Sequence, residues 1–194
     1  MDSEVLERGK NLRVVSNYAV GYDNVDVEEA KRRQIIVTNT PGVLTETTAD
    51  LAWALLMAAA RRIVEADRYT REGKFTGWSP TLFLGQDVYG KTLGLIGLGR
   101  IGGAVARRAK GFSMRVIYYD VARFEDKERE LGVTYAPLET LLQTSDFISI
   151  HTPLTTSTYH LIGEKELKMM KRTAVLINTA RGPVIDENAL VKAL

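Results

Sequence analysis

The sequence predicts an α/β fold built on a doubly wound parallel sheet, and three observations predict it. Short apolar, β-prone runs alternate with helical segments along most of the 194 residues, the pattern of βαβ units rather than of hairpins. One such run, Thr92-Leu93-Gly94-Leu95-Ile96, passes directly into Gly97-Leu98-Gly99-Arg100-Ile101-Gly102, three glycines spaced G-x-G-x-x-G at a strand-to-helix turn. A further strand-like run, residues 115–119, ends in Asp120, about 20 residues beyond the second glycine.

Taken in order, residues 12–16 and 34–38 read as strands, with the charged helical run 27–33 between them, a βαβ-like unit. Asn39-Thr40-Pro41-Gly42 reads as a loop. One long amphipathic helix is expected from Thr47 to about residue 72, opened by a capping box of Thr47 and Asp50. Its apolar residues Leu51, Ala52, Trp53, Leu55, Leu56 and Met57 cover most of its circumference, so it should be buried on several sides, within one lobe or at a subunit interface. Residues 73–90, with Trp78 and Pro80 in the middle, form a linking loop. Beyond it come strand 92–96, helix 101–109, strand 115–119, a helix near 124–131, strand 133–135, helix 138–143, strand 147–150, helix 165–170, strand 174–178 and a helix starting near Asp186. His151-Thr152-Pro153-Leu154-Thr155 and Thr179-Ala180-Arg181-Gly182 each follow a strand at its carboxyl end. Ligands collect there in such sheets, so the two loops are expected to converge on one crevice.

The three glycines divide the work of a dinucleotide site, which makes the fold Rossmann-type. Gly97 permits the tight turn, Gly99 lets backbone amides approach a pyrophosphate, and Gly102 lets the helix pack closely on the sheet. The helix that follows aims its free N–H groups and positive dipole end at the phosphates. A carboxylate at Asp120 accepts hydrogen bonds from adenine-ribose hydroxyls and repels a 2′-phosphate, so NAD is expected over NADP. Arg123, three residues on, could reach toward such a phosphate, or it is a solvated loop residue.

Composition narrows the function class. The 26 basic and 24 acidic residues leave a formal charge of +2 with no basic stripe or polybasic patch, so neither a nucleic-acid nor a membrane partner is expected. There is no cysteine, which excludes disulfides and Cys-based zinc sites, and two histidines give no metal centre. No run approaches the roughly 18 apolar residues of a membrane span, and the polar start Met1-Asp2-Ser3-Glu4 is unlike a signal peptide, so a cytoplasmic location is expected.

With these residues assembled, the chain resembles the D-isomer-specific 2-hydroxyacid dehydrogenases, in particular their glyoxylate/hydroxypyruvate reductase branch. The resemblance rests on Val20-Gly21-Tyr22-Asp23-Asn24-Val25-Asp26, on Asn39-Thr40-Pro41-Gly42-Val43-Leu44, on Gly90-Lys91-Thr92-Leu93-Gly94 with the glycine run, on His151-Thr152-Pro153-Leu154 and on Asn178-Thr179-Ala180-Arg181-Gly182. The branch leans on Gly77-Trp78 and Pro80. It implies hydride transfer between NAD(H) and a small 2-oxo acid such as glyoxylate or hydroxypyruvate. A homodimer is expected as well, the broad apolar surface of the long helix being a candidate interface. By the same resemblance Arg181 is the catalytic arginine and holds the substrate carboxylate with the backbone amides of Val20 and Gly21. Thr48 lies near the nicotinamide or phosphates, Leu98, Gly99, Arg100 and Ile101 surround the pyrophosphate, and His151, Thr152, Pro153, Thr158, Thr179 and Ala180 line the adenosine and nicotinamide sides, with Arg181 counted among the cofactor-binding residues as well. An arginine suits the first role because its charged fork can grip a carboxylate with two hydrogen bonds.

The chain also departs from that pattern. The family's proton-donor histidine and its glutamate lie downstream of the arginine signature, and the sequence stops at Leu194. Residues 1–10 resemble a helix from the middle of the substrate lobe. The expectation is therefore an internal piece, with residues 1–44 a truncated substrate lobe and 45–194 a dinucleotide-binding domain itself short at its C-terminus, binding cofactor but turning over little substrate. The alternative is an NAD(H)-sensing binding module of the corepressor kind, without metabolic turnover.

Overall fold

A computed structural model describes all 194 residues. In chain order the elements are α1 (Ser3–Arg8), β1 (Val14–Ser16), α2 (Val27–Arg32), β2 (Ile36–Thr38), α3 (Thr45–Ala60), α4 (Ile63–Arg71), β3 (Thr92–Ile96), α5 (Arg100–Ala109), β4 (Arg115–Tyr119), α6 (Glu125–Leu131), β5 (Thr134–Tyr135), α7 (Leu138–Thr144), β6 (Phe147–Ile150), α8 (Glu164–Met169), β7 (Val175–Asn178) and α9 (Glu187–Ala193). The expected strands and helices are all present with ends shifted by a residue or two, except in the long helix.

Five strands form one parallel sheet in the order β5-β4-β3-β6-β7. Strand order reverses at β3, whose neighbours β4 and β6 lie on opposite sides, so the carboxyl ends of β3 and β6 open a crevice at the switch point. The central strands are mostly apolar because helices cover both faces, with Ser149 the buried polar exception in β6. Leu93, Leu95, Val116, Tyr118 and Phe147 belong to a core shared with α3 and α5. Ile96, Ile117, Ile148 and Ile150 belong to a second core with α7, Ile162 and Ile185. At Gly94 a Cβ would overlap the Ser145 hydroxyl and press on Leu141, so α7 lies on β3 only because no side chain stands there. A separate two-stranded parallel sheet, β1-β2, closes over its own small core of Leu6, Val15, Val25, Ala30 and Ile35.

The single helix expected from Thr47 to about residue 72 is two helices. Arg62 takes a left-handed conformation, φ 53°, between α3 and α4. The linking loop causes the break: Gln86 donates its backbone N–H to the Ala60 carbonyl at 2.8 Å. Gly85 lies so close to that carbonyl that a Cβ would overlap it. Loop 73–90 thus docks on the end of α3 and consumes an acceptor that a continuous helix would have needed. The capping box is absent as well. Leu44 is the N-cap without a side-chain bond, Thr47 Oγ1 donates to the Leu44 carbonyl at 3.3 Å, and Asp50 is drawn to Arg108 at 2.6 Å instead. Burial of α3 is on one side of the expected extent: Ala49, Ala52, Trp53, Leu56 and Ala60 are buried, while Leu51 and Leu55 remain about half exposed.

Trp53 joins α3 to the nucleotide half. Its ring stacks on Phe112 at 4.7 Å between centroids, and its indole N–H donates to the Val105 carbonyl at 3.2 Å. Truncating a buried ring leaves a cavity, so Trp53→Ala should lower the unfolding free energy by about 3–5 kcal/mol. Trp53→Phe, which keeps a smaller aromatic ring and loses only the indole N–H bond to a carbonyl already engaged within α5, should cost less, about 1–2 kcal/mol. Urea denaturation of the two variants checks the order; equal losses would remove the packing explanation.

Candidate functional site

The glycine turn is built as its spacing requires. Gly97 has φ 98°, and a Cβ on it would come within 2.8 Å of the His151 carbonyl oxygen, so both backbone conformation and space demand glycine. A Cβ on Gly102 would overlap the Gly97 carbonyl, which brings α5 down onto the turn. At Gly99 a Cβ would meet nothing within 4 Å. No atom of the chain itself excludes a side chain there, and the open space over Gly99 is where a ligand can approach the backbone. The N–H groups of Gly99, Arg100 and Ile101 donate to no acceptor in the chain, and they stand at the positive end of the ten-residue helix α5.

Leu98 is held differently from its neighbours. Its N–H donates to Asp120 Oδ2 at 2.8 Å and its carbonyl accepts from Lys127 Nζ at 2.6 Å, so the turn is clamped from both sides. The other oxygen of Asp120 accepts from the Val121 N–H at 2.8 Å. Arg123, the nearby cation considered for a phosphate, forks onto Glu128 with two bonds of 2.9 Å. That pairing holds the Glu128 carboxyl below its ordinary range, and Glu128 also accepts from the buried Tyr118 hydroxyl at 2.9 Å.

Beside the turn lies a crevice of about 560 Å³. It gathers Val20, Gly21, Thr48, Ile101, His151, Thr152, Pro153, Thr179, Ala180 and Arg181 from loops far apart in sequence. Gly97, Leu98, Gly99, Arg100, Gly102 and Asp120 do not line it; the glycine turn adjoins it in sequence through Ile101, and Asp120 is tied to the turn through the Leu98 N–H. Thr158 is not in its wall. Its hydroxyl donates to the Pro153 carbonyl at 2.7 Å and accepts from the Thr155 N–H at 2.8 Å, closing the loop on itself, and Thr155 takes the place in the wall. Sequence reasoning also passed over Tyr18, Tyr22, Asp23 and Leu44 as lining residues. Asp23 had a usable signal, being a carboxylate inside the same signature as Val20 and Gly21.

The loop 18–23 has an unusual hydrogen-bond balance. The Val20 carbonyl accepts from Asn39 Nδ2 at 2.8 Å and the Gly21 carbonyl from Asn17 Nδ2 at 2.7 Å. The N–H groups of both residues have no acceptor. Across the crevice, Arg181 donates through Nε to both oxygens of Asp23 at 3.0 and 3.2 Å and through Nη1 to the Ala180 carbonyl at 2.8 Å. The site therefore presents free donors and a guanidinium toward one small space, the chemistry of an anion receptor.

His151 sits at the end of β6 with Nε2 2.9 Å from the Ser149 hydroxyl. Burial pushes its pKa down to about 4, so the ring is neutral at neutral pH. His160 lies outside the crevice, stacked on Tyr159 at 4.0 Å between centroids and 3.9 Å from Asp186. The buried hydroxyls of Thr152 and Thr179 have no hydrogen-bond partner, and both line the crevice. Buried polar atoms are seldom left so. Orphaned hydroxyls, free amides and open space over Gly99 together fit a bound dinucleotide.

Fold and site thus define a dinucleotide-binding protein of the Rossmann type. The family model for the NAD-binding domain of D-isomer specific 2-hydroxyacid dehydrogenases matches residues 53–194, and the chain belongs to that family. It is 67% identical over 195 aligned residues to the glyoxylate reductase of Korarchaeum cryptofilum, with all of this chain and 59% of that protein covered. Among solved structures it resembles a D-lactate dehydrogenase from Aquifex aeolicus complexed with NAD and lactic acid, with TM-score 0.91 and 36% identity, over the whole chain and 57% of that one. An acyclic imino acid reductase in complex with NADPH and D-Arg matches with TM-score 0.90 and 36% identity, over the whole chain and 61% of its own. The chain spans about three fifths of the length of the curated relatives it matches.

The depressed pKa of His151 has a measurable consequence. An unfolded chain takes up the imidazole proton near pH 6.5 and the folded chain only near 4, so between these values the unfolded state holds the extra proton. The stabilisation is complete above pH 6.5 and is lost as pH falls to 4, about 3 kcal/mol in all. Unfolding free energy measured from pH 7 to 4 should fall more steeply for the native chain than for His151→Gln. Parallel slopes would show that His151 titrates normally.

Proposed function

We propose that the crevice binds NAD(H) and a small 2-oxo or 2-hydroxy acid side by side and serves hydride transfer between them, with glyoxylate or hydroxypyruvate as the oxo acid. One observation carries this reading: Arg181 and the acceptor-free amides of Val20 and Gly21 share a crevice with the orphaned Thr152 and Thr179 hydroxyls at the switch point of the sheet. The names of the relatives, a glyoxylate reductase and a lactate dehydrogenase, support the substrate class. They favour a dehydrogenase over a sensing module without turnover.

In this reading the acid's carboxylate is held by Arg181 with the Val20 and Gly21 amides. The same guanidinium stabilises negative charge developing on the carbonyl oxygen. The nicotinamide, when bound, supplies the hydride. Gly99, Arg100 and Ile101 offer their N–H groups to the pyrophosphate, and Asp120 and Thr48 complete the cofactor side. Neither histidine is suited to give the proton: His151 is neutral and hydrogen-bonded to Ser149, and His160 lies outside the crevice. Proton donation contributes about 10²–10⁴-fold, so we expect these 194 residues to bind cofactor with little turnover.

We further propose NAD over NADP, because Asp120 would repel a 2′-phosphate and Arg123 is engaged by Glu128. Residues 1–44 act as the substrate side and 45–194 as the cofactor side, in a protein of the cytoplasm. A homodimer would cover the half-exposed Leu51 and Leu55 of α3 and the exposed Ile63 and Val64 of α4; sedimentation showing only monomer would contradict this.

Calorimetric titration tests the core of the proposal. NADH should bind at least about 10-fold more tightly than NADPH, the order of one repulsive charge contact, and Arg181→Gln should abolish binding of an oxo acid while weakening NADH far less. Tighter NADPH binding would overturn the cofactor choice. Loss of neither ligand in Arg181→Gln would overturn the role of the arginine.

A further inference from the structure

We infer that Asp23 is the positioning residue for Arg181, setting which edge of the guanidinium is offered to a carboxylate ligand. The inference rests on the reading of Arg181 given above. Residues 1–40, with the β1-β2 sheet and its own core, meet everything after Leu44 through a single ionic or hydrogen-bonded link, and that link is Arg181 to Asp23. It joins positions 158 residues apart and lies in the crevice wall.

The three guanidinium nitrogens have separate fates. Nε is spent on Asp23 and Nη1 on the Ala180 carbonyl, while Nη2 has no acceptor in the chain. Nη2 lies against Gly21, so close that a Cβ there would overlap it. Asp23 and the bare Gly21 backbone therefore fix the fork from two directions, one by charge and one by shape. The free nitrogen is left next to the Val20 and Gly21 loop, whose N–H groups also lack acceptors. A carboxylate bound there could accept from Nη2 and the amides together, as a fork held in advance loses less rotamer freedom on binding. Without Asp23, Nε loses its partner and the guanidinium is free to turn away from that space.

The test compares the native chain with Asp23→Ala and Asp23→Asn, using calorimetry with NADH alone and then with oxamate, an unreactive carboxylate next to a carbonyl, at saturating NADH. For Asp23→Ala, NADH affinity should stay within about 2-fold, which also shows the fold intact. Oxamate affinity should fall at least about 10-fold, within the roughly 100-fold that misplacing a substrate-holding group can cost. Asp23→Asn keeps an acceptor for Nε and should restore most of the loss. The Arg181 Nε–H signal in nitrogen-15 spectra should be slow to exchange in the native chain and in Asp23→Asn, and fast in Asp23→Ala. Unchanged oxamate affinity in Asp23→Ala, or equal loss of NADH and oxamate, would overturn the positioning role while leaving the proposed function standing. A native chain that binds NADH but no oxamate would overturn both.

Discussion

The close approach of α5 to the carboxyl ends of β3 and β6 is the constraint on which the rest of the structure depends. Gly97 is pressed against the His151 carbonyl, and Gly102 against Gly97 in turn, so a methyl group at either position has nowhere to go. This contact fixes where the helix begins relative to the sheet. It leaves the first N–H groups of α5 facing open space over Gly99 rather than another carbonyl. It also sets the start of the loop that follows His151, from which the orphaned Thr152 hydroxyl lines the crevice. The open, donor-rich face of the glycine turn is thus a consequence of packing that only glycine permits.

The side proposed to take the substrate is assembled by charge rather than by packing. Residues 1–40 fold over their own small core, and their meeting with the nucleotide half is polar, through Asp23 and Arg181. Side-chain amides of Asn17 and Asn39 hold the carbonyls of the facing loop and leave its N–H groups unpaired. A buried neutral imidazole at His151 completes the crevice wall, and the clamped Leu98 peptide holds the glycine turn beside it.

Much of the fold was legible in the sequence because the central strands are buried on both faces, so β3, β4 and β6 read as predominantly apolar runs without polar alternation. The glycine turn was legible because its three roles are steric and local. What could not be read depends on partners distant in sequence. The break between α3 and α4 is made by Gly85 and Gln86, which dock on Ala60 from the far end of a loop. Asp50 had a helix-cap position but Arg108 claimed it. Thr158 and Thr155 are indistinguishable by type, and only the loop's closing hydrogen bonds decide which faces the crevice. Arg123 was a free cation on paper and is engaged by Glu128 in the fold.

Amide hydrogen exchange, residue by residue, with and without NADH, tests the central claim most directly. The account predicts that exchange at Gly99, Arg100 and Ile101, whose N–H groups have no acceptor in the chain, slows sharply when NADH is added. Leu98, already bonded to Asp120, should change far less. Binding of NADH with no protection at these three amides would show that the glycine turn is a packing device alone and would contradict the account.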